Sequence, residues 1–76
     1  MAKLRHVAMS VKNVEESAKF FMEAFDMEKV GESANGAVYL SDGTINLALL
    51  NRKGKPLGWE GDDEFYGIDH FGMWVD

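Results

Sequence analysis

Residues 4–11, LRHVAMSV, and residues 68–75, IDHFGMWV, have one pattern: apolar, charged, His, apolar, small, Met, variable, Val. Each copy holds one of the two histidines of the 76-residue chain. In the first copy Val7, Met9 and Val11 alternate with Leu4, His6, Ala8 and Ser10, and a period of two predicts a strand. The same alternation in the second copy puts Phe71, Met73 and Val75 on the face equivalent to Val7, Met9 and Val11. His70, Gly72 and Trp74 then fall with His6, Ala8 and Ser10. Repetition of this kind marks duplicated units that bury a shared surface, and it gives the two histidines equivalent positions in equivalent strands.

Between the copies the chain is punctuated by caps and turns. Asn13 with Glu16 three residues on is a capping-box pattern, and Val14, Ala18, Phe21 and Phe25 follow at helical spacing, which predicts an amphipathic helix over about 13–26. Asp26 stands where a left-handed cap residue belongs, a conformation it accepts less readily than Gly. Glu28 to Glu32 reads as a short strand, SANG as a turn, AVYLS as a strand and SDG as a second turn. In TINLALL, Ile45, Leu47 and Leu49 face one way and Asn46, Ala48 and Leu50 the other. The chain therefore reads as α+β: a β-α-β-β-β module over 1–51, a polar, Gly-rich loop over 52–67, and over 68–76 the first strand of a second module.

Composition narrows the function classes. Thirteen acidic against eight basic residues give a net charge of −5, the wrong sign for binding a phosphate backbone, so nucleic acid is not expected as a partner. With no cysteine there is no disulfide, thiolate ligand or thiol nucleophile, which accords with a reducing, cytoplasmic setting. No stretch approaches the roughly 20 apolar residues of a membrane span, and no membrane partner is expected. A chain of this length buries only about 60% of the surface its unfolded form exposes, so its stability margin is thin.

The segments LRHVAMSVKNVEESAKFFMEAFDMEKVGE, VYLSDGTINLALLN and GIDHFGMWVD together resemble the vicinal oxygen chelate superfamily, which includes glyoxalase I, bleomycin-resistance proteins, fosfomycin-resistance enzymes and extradiol dioxygenases. The resemblance covers nearly the whole chain and rests on order: strand with His, ESAKFF-type helix, YLSDG turn, second strand with His. It implies paired β-α-β-β-β modules forming a cupped, half-open barrel around a divalent metal (Fe(II), Mn(II), Ni(II) or Zn(II)), with no organic cofactor. It places His6 and His70 at the two first-strand ligand positions. Asn46 stands where glyoxalase I-like members carry a glutamate ligand, and an amide oxygen is the poorer donor. Two His and a distant carboxylate suit open-sited Fe(II) or Mn(II) chemistry better.

The resemblance also implies that the chain is truncated after the first strand of the second module. A lone module would leave an apolar concave face of Leu4, Ala48 and Leu50, with Ile68 and Trp74 nearby. That predicts a homodimer in which each chain serves as the other's second module, exchange of the strand beginning at Ile68 being one route. Asn46, Tyr66 and Trp74 are candidate substrate-binding residues. Glu60, Asp62, Asp63 and Glu64 are carboxylates in reach of the cup if the loop folds over it, and Trp59 and Phe65 are further aromatics there. Three functions stay open. The first is a metal-dependent dioxygenase, glyoxalase-type lyase or resistance-type transferase acting on a small metal-chelating substrate. The second is a metal-free protein that sequesters a flat ligand, as bleomycin-resistance proteins do. The third is a dimerising fragment without catalysis.

Overall fold

A computed structural model describes residues 2–51 and 65–75. Six elements follow one another in chain order: β1 (Lys3–Ser10), α1 (Val14–Phe25), β2 (Glu28–Glu32), β3 (Val38–Ser41), β4 (Asn46–Leu50) and β5 (Gly67–Trp74). They build one five-stranded mixed sheet in the order β2-β3-β4-β1-β5. β2, β3 and β4 form an antiparallel meander, β4 runs parallel to β1, and β5 pairs antiparallel with β1 on its other side. The chain is therefore α+β. The proposed loop residues Trp59, Glu60, Asp62, Asp63 and Glu64 lie outside the described residues. No helix among the described residues is long and apolar enough to cross a membrane.

The helix begins and ends as its sequence requires. The Asn13 side chain accepts from the Glu16 amide at 3.0 Å, satisfying a first-turn donor that the helix itself leaves unpaired. Asp26 terminates it in the left-handed conformation, φ 55° and ψ 30°. Ala18 is the buried helix residue, and Val14, Phe21 and Met22 pack with Val7, Met9, Val11 and Met27 against Val38, Leu40, Leu47 and Leu49. Leu40 and Leu49 are fully buried, each stabilising the fold by about 1.5–3 kcal/mol. Phe25, counted on the buried stripe by its spacing, is instead exposed. It lies in the last helical turn, where it meets the rings of Phe20 and Phe21 at 5.8 and 5.9 Å.

The turn between β3 and β4 is organised by the Asp42 side chain. Asp42 Oδ1 accepts from the amides of Thr44 at 2.8 Å and Ile45 at 2.9 Å. Gly43 between them has φ +92°, a region where a side chain would be strained. The amides of Ile45 and then Thr44 hold the Asp42 carboxyl below the usual carboxylate range, because their donors favour its charged form.

Three expectations about the open face change: Leu4, opposite Met73 beyond the register shift at Arg5, lies with Val7 on the helix-bearing side, and Ala48 and Ile68 change as well. Ala48 is only 2% exposed: a single methyl in mid-sheet, in register between Ala8 of β1 and Tyr39 of β3, is shielded by its neighbours. Ile68 does not share a face with His70. The β1–β5 register shifts between Ala8 and Met9, with Ala8 opposite His70 and Met9 opposite Ile68. Asp69 is thus the extra residue of a β-bulge, and the alternation is reset there. Ile68 pairs with Met9 and Phe71 with Val7, so both belong to the helix-bearing side of the sheet. They are 63% and 65% exposed, since α1 packs on β2, β3 and β4 and not on β5.

Candidate functional site

The two histidines are brought together by the pairing of β1 with β5. His6 stands opposite Gly72, and His70 stands opposite Ala8. They are diagonal neighbours on one face, a separation that aromatic side chains can bridge. Gly72 lies beneath the His6 ring. A Cβ placed there would lie 3.4 Å from His6 Cβ, 3.8 Å from Cδ2 and 3.9 Å from Cγ, so the His6 ring rests over a position that has no side chain. From there its centroid is 5.3 Å from that of His70, with the rings tilted by 34°. Both histidines are half-buried.

The spacing suits a shared ion. Two imidazoles on one metal, each at a metal–nitrogen distance of about 2.1 Å, have centroids roughly 5 Å apart. The 5.3 Å separation of the His6 and His70 centroids is of that order. No group of three or more His, Cys, Asp or Glu side chains among the described residues is arranged to hold an ion.

His70 has a carboxylate partner that alternation alone would deny it. Its Nδ1 lies 2.8 Å from Asp69 Oδ2, and the Asp69 side chain is fully buried. Consecutive residues of a regular strand point to opposite faces; here the bulge at Asp69 turns the carboxylate toward the neighbouring ring.

Asn46 faces His6 across the β1–β4 ladder and opens onto a cavity of about 250 Å³ that Arg5, Ser41, Gly43, Thr44 and Trp74 also line. Arg5 sits at a second register shift, between Leu4 and His6. Its Nη1 donates to the Thr44 carbonyl at 2.8 Å, and its guanidinium carbon lies 5.3 Å from the centre of the Trp74 ring, within cation–π range. Trp74 thus flanks Asn46 on the side of the cavity away from the bulge at Asp69. Tyr66 precedes β5, just before Gly67, which pairs with Ser10. Four residues along a strand separate it from His70, roughly 13 Å. The structure gathers His6, His70 and Asn46, sets Trp74 at their margin with Arg5, and leaves Tyr66 at the far end. Asp69 and Arg5 went unread because both lie at bulges, and neighbouring residues share a face only where such a shift occurs.

The sequence model of the Glyoxalase/Bleomycin resistance protein/Dioxygenase superfamily matches residues 3–76. The chain belongs to that superfamily. Its fold is similar to the crystal structure of a hypothetical protein from Bacillus halodurans C-125, with a TM-score of 0.69 and 22% sequence identity over 97% of this chain. The match spans 59% of that protein. No curated protein matches the sequence. Within the superfamily fold, β1 and β5 are the strands that carry His6 and His70, and their direct pairing sets the two rings side by side.

Proposed function

We propose that His6 and His70 hold a divalent metal, Fe(II), Mn(II), Ni(II) or Zn(II), and that the chain acts on a small substrate that chelates this ion. The single observation that carries the reading is the 5.3 Å approach of the two rings on one face. A metal there supplies Lewis-acid polarisation of a bound oxygen. The chain's own residues would do the rest. Asn46, across the ladder from His6, offers an amide that donates to or accepts from a substrate oxygen. Trp74, exposed at the cavity's edge and backed by Arg5, offers a flat apolar wall for orientation.

The test is calorimetric titration of the metal-stripped protein with Mn(II), Ni(II) and Zn(II) beside His6→Ala and His70→Ala. Micromolar or tighter binding to the parent, lost in both variants, is the expected result. No binding to the parent ends this reading. It would leave the metal-free ligand-binding reading, which the exposed Trp74 at the mouth of a polar cavity supports.

The same proposal includes a homodimer. Among the described residues β5 is an edge strand, with Ile68 and Phe71 exposed on its helix side, and such edges are ordinarily covered or charged. A second copy is the covering partner. Light scattering at micromolar concentration should return twice the chain mass, and a folded, non-associating monomer would refute the dimer.

A further inference from the structure

The contact between Asp69 and His70 does more than anchor a loop end. The geometry points to Asp69 as a positioning residue that fixes the tautomer and the ring orientation of His70, leaving Nε2 as the atom through which this histidine acts. A neutral imidazole has one N–H and one lone pair, and which nitrogen carries the proton is decided by the partner of either one. A carboxylate oxygen accepts, so Oδ2 at 2.8 Å holds the proton on Nδ1. The lone pair then belongs to Nε2, the nitrogen remote from Asp69.

Three features make the contact a built one. The Asp69 side chain is fully buried although its neighbour His70 is 40% exposed, so the carboxylate stands behind the ring and the ring in front of it. The bulge adds one residue to β5 opposite the step from Ala8 to Met9 and so places that carboxylate, a device by which strands re-aim side chains. The ring so held is the one that meets His6. Its consequence for metal binding rests on the reading proposed above: a carboxylate behind a ligating imidazole orients it and raises its basicity, and loss of such a partner weakens metal affinity roughly 10–100-fold.

The tautomer can be read without any metal. In the metal-free, 15N-labelled protein at a pH above the imidazole range, long-range proton–nitrogen correlation spectra should show His70 protonated at Nδ1, with a pyridine-type Nε2. Asp69→Ala should release His70 to the Nε2-protonated form that free imidazole side chains prefer. Asp69→Asn, whose amide oxygen still accepts, should retain Nδ1–H. A wild-type His70 protonated at Nε2 overturns the inference, and so does a folded Asp69→Ala protein with an unchanged spectrum. If Asp69→Ala fails to fold, the wild-type and Asp69→Asn spectra decide. Titration with Ni(II) separates the two proposals. A correct tautomer with no Ni(II) binding leaves the positioning role standing and removes the metal, whereas equal Ni(II) affinity in wild type and Asp69→Ala removes the role of Asp69 in metal binding.

Discussion

β1 has two neighbours in the sheet, and they are stabilised in different ways. On one side β4, with β3 beyond it, carries Leu47, Leu49, Val38 and Leu40 beneath α1, and these residues are buried. On the other side β5 pairs along its length with β1, yet Ile68, Phe71, Met73 and Trp74 remain exposed. The first side is held by apolar burial. The second is held by a backbone ladder and by the polar face where His6, His70 and Asp69 meet. A strand retained by its ladder and its site residues can be optimised for geometry at that site, because few core contacts constrain its side chains. Two of the sheet's register shifts lie in this ladder, at Arg5 and Asp69, and a third lies between β2 and β3, while β4 pairs with β1 and β3 without one.

The comparison can be broken most forcefully in the core. Leu49→Ala should cost about 2–5 kcal/mol, the range for emptying a fully buried leucine site, and urea unfolding followed by circular dichroism measures it. A loss below about 1 kcal/mol would mean that burial beneath α1 is not what holds β4. Phe71→Ala probes the other side. At concentrations below association it should change stability by no more than about 0.5 kcal/mol, as exposed sites do. As the protein is concentrated the difference from wild type should widen if the proposed second copy covers Phe71, because association stabilises by mass action.

The smallest effect belongs to the β3–β4 turn, on the apolar side. Asp42 is ionised more readily in the fold than in the unfolded chain, with its carboxyl lowered by the amides of Ile45 and Thr44. The stability it contributes is therefore present above the unfolded carboxylate value and is lost as pH falls through the lowered folded value. Asp42→Asn should lower the melting temperature slightly at neutral pH and converge with wild type in acid, so that its decline on the acid side is flatter. An acid limb identical to that of wild type would show that the turn is not electrostatically held.

Much of the fold was legible because its signals are local. The cap at Asn13, the left-handed Asp26, the Asp42–Gly43 turn and the alternation in Asn46–Leu50 each act over a few residues, and each appears where it was expected. The two histidines were legible as a pair because the copies LRHVAMSV and IDHFGMWV align. What alternation misplaced on β1 and β5 lies at the two register shifts of their ladder, at Arg5 and Asp69. Reading through Asp69 as a regular strand residue put Ile68 on the histidine face and Asp69 on the other. One extra residue in the ladder reversed both. Ala48 was misjudged for a different reason: exposure of a methyl depends on the size of its neighbours, and those come from β1 and β3.

The sequence by itself determined the element order, the caps and turns, and the equivalence of His6 and His70, because these depend on spacing and side-chain chemistry within short windows. Tertiary structure decided how near the two imidazoles stand, which nitrogen of His70 meets a carboxylate, and which face of β5 is left bare. Those outcomes depend on where two distant strands fall into register, and a one-residue shift in an antiparallel ladder exchanges the faces of every side chain beyond it.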